Sequence, residues 1–184
     1  MDLTILKFFH ATFHSQTWLN YIMSGITWLG EFGAAGIVLA VFLVIFKKTR
    51  TAGFAVAVAL LLDLLLVNII LKNAVNRPRP WTEWPEIIDF YNSVGMRIPS
   101  DSSFPSGHTG ACFAAAVALF CRYPIKAIPA LVVAFLVAIS RIYLCVHYPT
   151  DVLAGLLIGS ACGVAGHFIV KAVCSAIEKR KSSS

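Results

Sequence analysis

Five apolar stretches, most of them long enough to cross a lipid bilayer, constrain the fold of this chain most strongly. A membrane-spanning helix needs about 20 apolar residues, within a range of roughly 17–25, and only the third stretch is clearly shorter. The stretches are Trp28–Phe46, Thr51–Leu71, Gly107–Phe120, Ala127–Val146 and Val152–Val173. The sequence therefore predicts an all-α integral membrane bundle of about five transmembrane helices, forming a single domain over residues 1–184.

The composition agrees with a membrane protein. Hydrophobic residues make up 58 % of the 184 residues and charged residues only 13 %, against about 25 % charged residues in soluble domains. Disorder is excluded because apolar surface is plentiful. The net charge of +6 fits anionic lipid or nucleic acid, and the apolar content favours lipid, so membrane lipids and no nucleic acid are expected as partners. The five cysteines form no CxxC pair, which disfavours a disulfide framework or a zinc site.

Charge and amphipathicity predict the orientation. Residues 1–27 carry apolar side chains at helical spacing, which predicts an amphipathic segment in the membrane interface; the alternative is that part of it precedes or extends the first span. Basic residues cluster after spans one and three and in the tail, 174–184: Lys47, Lys48, Arg50, Arg122, Lys126, Lys179, Arg180 and Lys181. The positive-inside rule makes that side cytoplasmic, so the loop 73–105 is expected on the extracytoplasmic face of the cytoplasmic membrane.

Three polar segments follow or open the spans on that extracytoplasmic side. They are Lys72-Asn-Ala-Val-Asn-Arg77-Pro-Arg79-Pro80, Pro105-Ser106-Gly107-His108, and the stretch from Ser140-Arg141 to His147 and Asp151. Lys72, Arg79 and Arg141 predict an anion site, because guanidinium groups match phosphate oxygens and a lysine adds a point charge. Ser106 and Gly107 add a hydroxyl group and the backbone N–H groups of a helix start.

The two histidines suit separate chemical roles. His147 and Asp151 are four residues apart and share a face if the backbone is helical, although Pro149 interrupts the pair. An aspartate bonded to one ring nitrogen leaves the other nitrogen free as a nucleophile. His108, across the anion site, is predicted to protonate the departing oxygen as a general acid.

In this order and spacing, the three segments closely resemble the signature of the type 2 phosphatidic acid phosphatase (PAP2) superfamily: K-x6-R-P, P-S-G-H and S-R-x5-H-x3-D. The resemblance implies that His147 forms a phosphohistidine, that Asp151 orients it, and that His108 protonates the leaving group and then activates water. It also implies a set of phosphate-binding residues: Lys72, Arg79, Ser106, Gly107 and Arg141. No cofactor and no metal ion are implied.

The resemblance is to small bacterial membrane members that act on undecaprenyl pyrophosphate or phosphatidylglycerophosphate. Undecaprenyl pyrophosphate is the leading expected substrate, with phosphatidylglycerophosphate and phosphatidic acid as alternatives. Two other classes stay open. A vanadium haloperoxidase-like oxidoreductase is disfavoured by the membrane spans, and a non-catalytic lipid-phosphate binder or transporter is disfavoured by the intact histidines. The oligomeric state stays open as well.

Four further features carry weaker predictions. Asp63 lies mid-span, where a charge is costly, and is expected to face the bundle interior without a catalytic role. Glu31 either contacts the active-site loop or sits at the interface. Arg77 is interpreted as a solvated loop arginine, with contact to a second phosphate as the alternative. Glycines recur every fourth residue in the fifth span and predict close helix packing within the monomer: Gly155, Gly159 and Gly163.

Overall fold

The computed structural model describes residues 2–182, and the regular structure within them is entirely helical. The helices are α1 (Asp2–Phe13), α2 (Thr17–Trp28), α3 (Ala34–Ile45), α4 (Arg50–Asp63), α5 (Lys72–Val75), α6 (Pro80–Glu83), α7 (Ile87–Ser93), α8 (Gly107–Phe120), α9 (Ile128–Tyr143) and α10 (Pro149–Ser182). A π-helical stretch, Leu64–Leu71, joins α4 to α5 without a break, and 3₁₀ turns at Glu31–Gly33 and Ile125–Ala127 precede α3 and α9. The predicted all-α architecture is confirmed. Met1, Ser183 and Ser184, which belong to the predicted domain and tail, lie outside the described residues.

Each predicted span has a helical counterpart. Arg50–Glu83, Ile125–Tyr143 and Pro149–Ser182 are long and apolar enough to cross a membrane, and α3 and α8 are shorter apolar helices. The boundaries differ where local backbone geometry intervenes. The first span was expected to begin at Trp28, but α3 begins at Ala34 because Gly33 adopts a left-handed conformation (φ 68°) that interrupts the helix. The last helix continues beyond its predicted end at Val173.

Close backbone contact joins α10 to α8. A Cβ atom added to Gly155 would lie 2.5 Å from the carbonyl oxygen of Ser106, and one added to Gly159 would overlap the carbonyl group of Gly110. Small residues permit such approach because no side chain separates the two backbones. The glycine stripe therefore packs within the monomer, as predicted, and this packing brings the start of α8 against the start of α10.

The N-terminal segment, expected as one amphipathic element, folds as two helices. Helix α1 lies over the ends of α9 and α10, where the Asp2 carboxylate accepts hydrogen bonds from Arg77 (2.9 Å) and Thr150 (2.5 Å). Helix α2 packs beside α9, and the Tyr143 hydroxyl donates to Asn20 at 2.6 Å. Both helices therefore reach the end of the bundle that carries the three polar segments.

The long loop is structured by short helices and buried tyrosines. Tyr91 of α7 is fully buried and donates its hydroxyl hydrogen bond to the carbonyl of Cys145 at 2.7 Å. Tyr148 donates to the carboxylate of Glu83, at the end of α6, at 2.8 Å. These contacts fasten the loop onto the connection between α9 and α10, and so place residues 101–104 beside that connection.

Asp63 lies in the interior of the bundle, as predicted. It is 1 % exposed, its Oδ1 has no hydrogen-bond partner among the described residues, and its carboxylate packs directly against Gly110. An isolated carboxylate in such a position is costly when ionised. Among residues 2–182, no hydrogen bond or ion pair joins Asp63 to a histidine.

Candidate active site

The three polar segments meet at one end of the bundle, although they are far apart in the chain. The side chains come from three places: α5 and the residues after it, the start of α8, and the connection between α9 and α10. Five of the sequence-predicted residues are at most 4 % exposed there: Arg79, Ser106, Arg141, His147 and Asp151. Burying the guanidinium groups of Arg79 and Arg141 together is unfavourable unless anions balance their charge. This end of the bundle therefore favours binding of an anion.

The ring of His147 is held in one orientation. Its Nδ1 lies 2.7 Å from the carbonyl oxygen of Ser103, and its Nε2 lies 3.3 Å from Nη1 of Arg79. A carbonyl oxygen only accepts hydrogen bonds, so Nδ1 carries the proton and Nε2 presents a lone pair. Burial, followed by the charges of Arg79 and Arg141, lowers the pKa of His147 well below its usual value of 6.5. The imidazole is therefore neutral at pH 7, as a nitrogen nucleophile requires.

The expected direct hydrogen bond from His147 to Asp151 is not formed. Oδ2 of Asp151 lies 3.7 Å from Nδ1 of the imidazole and accepts a 2.5 Å hydrogen bond from the Ser103 hydroxyl instead. The physical reason is local: α10 begins only at Pro149, so His147 precedes the helix and the two side chains do not share a helical face. Asp151 thus fixes Ser103, whose carbonyl oxygen in turn holds the histidine.

An unpredicted carboxylate joins two of the candidate phosphate-binding residues. Asp101 forms ion pairs with both Lys72 and Arg79, and Nε of Arg79 also donates to the Asp101 backbone carbonyl at 2.9 Å. Partial burial alone would raise the pKa of Asp101, but the hydrogen bond from Lys72 and the charge of Arg79 lower it to about 2. Asp101 is therefore ionised at neutral pH, and its carboxylate binds both Lys72 and Arg79.

Arg141 is buried, and it forms no ion pair with a carboxylate in the part of the chain that the structure describes. Its Nη1 donates to the hydroxyl of Thr27 at 2.5 Å, and its Nε has no hydrogen-bond partner among residues 2–182. A buried donor left unpaired costs free energy, about 1–3 kcal/mol or more for a charged group. This guanidinium is thus suited to an anionic ligand.

The start of α8 brings Ser106, Gly107 and His108 to the same place. The hydroxyl of Ser106 lies 3.0 Å from that of Thr109. Gly107 leaves no room for a side chain, because a Cβ atom there would lie 2.6 Å from Oδ1 of Asn68. The backbone N–H groups of this first helical turn point toward the end of the bundle and favour negative charge.

His108 has a carboxylate partner that lies 77 residues away in the chain. Its Nε2 is 2.9 Å from Oε2 of Glu31, in the turn between α2 and α3. The alternative that Glu31 merely sits at the interface is thereby set aside, since its carboxylate reaches into the candidate site.

The interpretation of Arg77 as a solvated loop arginine is wrong. Its guanidinium pairs with Asp2 at 2.9 Å and with Asp151 at 2.6 Å, and it stacks over the ring of Tyr148 at 4.0 Å. The sequence does not indicate these two ion pairs, because both carboxylates belong to elements that are far from Arg77 in the chain. It ties α1, the loop after α5 and the first turn of α10 together behind the site.

Three permanent cations lie at this end of the bundle: Lys72, Arg79 and Arg141. Among residues 2–182, no group of three or more His, Cys, Asp and Glu side chains is arranged to hold a metal ion. The cysteines are free and do not contribute to this end of the bundle, except that Cys145 lies buried in the connection before His147.

Comparison with known proteins agrees with this geometry. The family model of the PAP2 superfamily matches residues 51–173, which span all three polar segments and two thirds of the chain. This chain belongs to the PAP2 superfamily. As a PAP2 protein it is 30 % identical over 177 residues to the lipid A 4'-phosphatase of Bacteroides thetaiotaomicron, covering 92 % of this chain and 76 % of the relative. It is 29 % identical over 166 residues to the undecaprenyl-diphosphatase BcrC of Bacillus subtilis, covering 89 % and 81 %.

A solved PAP2 structure matches the whole architecture. The crystal structure of a transmembrane PAP2 type phosphatidylglycerolphosphate phosphatase from Bacillus subtilis superposes with a TM-score of 0.69 at 33 % identity, covering 96 % of this chain and 85 % of that one. The protein is therefore a membrane-embedded PAP2-type lipid phosphatase, a hydrolase of phosphate esters or anhydrides. These relatives are named as phosphatases, which disfavours the haloperoxidase-like and non-catalytic alternatives.

The sequence alone predicts no role for four residues of this PAP2 site: Thr27, Glu31, Asp101 and Ser103. Two of them precede the residues that the PAP2 family model matches. Ser103 holds His147 through its backbone carbonyl, and such a role cannot be recognised from the residue type. Asp101 is one of four acidic residues in the loop 73–105, beside Glu83, Glu86 and Asp89, and its partners are defined only by the fold.

Proposed function

We propose that this PAP2 phosphatase removes a phosphate group from a lipid phosphate or pyrophosphate through a phosphohistidine on His147, with undecaprenyl pyrophosphate as the leading substrate. One observation carries the proposal. The buried, neutral imidazole presents Nε2 within a cluster of three permanent cations, Lys72, Arg79 and Arg141. A nucleophile placed among phosphate-binding cations is the arrangement that phosphoryl transfer requires.

In the first step, Nε2 of His147 attacks phosphorus and the bond to the leaving oxygen breaks. His108 donates a proton to that oxygen as general acid. Lys72, Arg79 and Arg141, together with Ser106 and Gly107 at the start of α8, bind the phosphoryl oxygens and stabilise their negative charge. This charge stabilisation is the main catalytic contribution in phosphoryl transfer.

In the second step, His108 accepts a proton from water, and the resulting nucleophile breaks the N–P bond of phosphohistidine. Inorganic phosphate leaves and both histidines return to their starting protonation states. The cations take the place that metal ions hold in many phosphatases, so the proposed reaction needs no metal.

The substrate proposal draws on the relatives. One is named for undecaprenyl diphosphate and another for lipid A, and both substrates are lipids with a phosphate group at the membrane surface. Phosphatidylglycerophosphate is the second candidate, because a solved PAP2 phosphatidylglycerolphosphate phosphatase shares the fold over 96 % of this chain.

The charge distribution supports an extracytoplasmic site. Lys47, Lys48 and Arg50 lie between α3 and α4, and Arg122 and Lys126 between α8 and α9. These connections are at the end of the bundle opposite to His108, because α8 begins at the site and runs away from it. By the positive-inside rule the basic end is cytoplasmic.

Phosphate release by detergent-purified protein tests this function. Undecaprenyl pyrophosphate, phosphatidylglycerophosphate, lipid A and phosphatidic acid would be compared, each with and without EDTA. We expect EDTA-resistant release that His147→Ala abolishes and that His167→Ala, a change on α10 remote from the site, leaves unchanged. Folded protein that releases phosphate from none of these lipids would contradict the proposal, and the ratio of kcat/KM values would rank the substrates.

A further inference from the structure

A segment outside the residues that the family model matches reaches into the site. Residues 27–31, at the end of α2 and in the turn before α3, contact two of the predicted functional side chains. Thr27 accepts the hydrogen bond from Arg141, and Glu31 pairs with His108. Residues 27–31 thus contribute side chains to the site.

The ring of His108 is fixed from this segment by packing and by charge. Glu31 Oε2 lies 2.9 Å from Nε2. The backbone of Gly30 lies so close to the ring that an added Cβ atom would be 3.0 Å from Cδ2 of His108. Within the described part of the chain no group forms a hydrogen bond with Nδ1. Nε2 of His108 is therefore bound to Glu31, and Nδ1 remains available to the substrate.

The other charged groups around His108 oppose its protonation. Arg141 from α9, Lys72 from α5 and Arg79 from the loop that follows α5 act on it electrostatically, and His147, from the connection before α10, also faces it but is neutral in this site. Like charges disfavour an imidazolium, whereas a carboxylate in contact favours it. Glu31 is the carboxylate in contact with the ring.

We propose that Glu31 is a positioning residue for the proton transfer to the leaving group. The inference rests on the proposed function. Its carboxylate binds Nε2–H of His108, favours the imidazolium, and turns Nδ1–H toward the departing oxygen. When the P–O bond breaks, the Nδ1 proton passes to that oxygen and its bonding pair returns to Nδ1, while Nε2–H stays with Glu31. In the second step Nδ1 takes a proton from the attacking water, and the cycle closes without any further reactant.

This role predicts a dependence on the leaving group. An alkoxide, as released from phosphatidylglycerophosphate, is a strong base and needs protonation in the transition state, whereas p-nitrophenolate is a weak base and needs little. We expect Glu31→Gln to lower kcat by about 10- to 100-fold on phosphatidylglycerophosphate and by less than about threefold on p-nitrophenyl phosphate, with KM little changed on both. Glu31→Asp is expected to recover part of the loss.

Two controls separate this role from a structural one. Glu86→Gln, which changes an exposed carboxylate just before α7, is expected to behave as wild type. In a His108→Gln background, Glu31→Gln should cost nothing further, because Glu31 acts through His108. Equal losses on both substrates, or a full additional loss in the His108→Gln background, would overturn the inference. Wild-type protein that hydrolyses neither of these substrates nor undecaprenyl pyrophosphate would instead overturn the proposed function.

Discussion

Asp101 shows how single residues balance the charge of the site. Its carboxylate pairs with Lys72 and Arg79, two of the three cations expected to bind phosphate. A phosphate group that approaches these cations competes with a carboxylate already bound to them. Asp101 therefore keeps the cations together and, at the same time, weakens the site for any other anion.

Replacing Asp101 with asparagine removes this competition while preserving shape. We expect Asp101→Asn to bind vanadate and inorganic phosphate more tightly, by about threefold, the scale of a partly exposed ion pair of 0.2–1 kcal/mol. The inhibition constants of both anions would be measured against p-nitrophenyl phosphate. Asp89→Asn, on an exposed carboxylate of α7, is the matched control. Weaker anion binding in Asp101→Asn would show that the carboxylate organises the cations rather than competing for them.

The neutral state of His147 predicts the acid side of the pH profile. A histidine whose pKa is lowered stays neutral, and so nucleophilic, as the pH falls through the ordinary value of 6.5. We expect the acid limb of kcat/KM, corrected for ionisation of the substrate, to lie below pH 6.5. Lys72→Gln removes one of the cations that lower this pKa, so its acid limb should move to higher pH. A wild-type limb at or above pH 6.5 would be inconsistent with the buried, cation-surrounded imidazole.

At the scale of helices, the contact between α8 and α10 aligns the site. Ser106 and His108 open one helix and Asp151 lies in the first turn of the other. The backbone N–H of Ser106 donates to the carbonyl of Asp151 at 3.0 Å, which links the two helix starts directly. The glycines of α10 permit this approach along the length of the contact.

Filling that contact should destabilise the fold. A Cβ atom at Gly159 would overlap the Gly110 carbonyl, whereas one at Gly25 in α2 meets nothing within 4 Å. Overpacking typically costs about 1–3 kcal/mol, so Gly159→Ala should lower the Tm measured in detergent. Gly25→Ala should leave it unchanged or raise it, because alanine favours helix by about 1 kcal/mol over glycine. Equal Tm values for the two variants would contradict this prediction and show that α10 moves to accommodate the added methyl group without loss of stability.

The connection between α2 and α3 marks the limit of helix prediction from sequence. The apolar pattern from Trp28 onward contains one charged residue, Glu31, and resumes directly after it, so it predicts one span. The break arises from the left-handed backbone of Gly33, and its consequence is that Glu31 turns toward His108. Hydrophobic periodicity does not register such a turn, because apolar residues continue on both sides of it.

For the whole molecule, the sequence was sufficient to predict the architecture and the residues that meet. Long apolar stretches can only be accommodated as membrane helices, and three motifs at consecutive helix ends must lie on one side of the bundle. The partners within the site were less predictable. Asp151 reaches Ser103 rather than His147, and Arg77 pairs with carboxylates 75 and 74 residues away, because these contacts depend on how loops pack over the helix ends.

Trapping the phosphorylated enzyme tests the central claim, a phosphohistidine on His147, most directly. Purified protein would be mixed with p-nitrophenyl phosphate, quenched in denaturant at alkaline pH within milliseconds, and digested for mass spectrometry. We predict a base-stable, acid-labile phosphate on the peptide that contains His147. It should be absent in His147→Ala and more abundant in His108→Gln, where activation of water is slowed. Turnover by wild-type protein with no phosphate on His147 at any quench time, in wild type or in His108→Gln, would contradict the account.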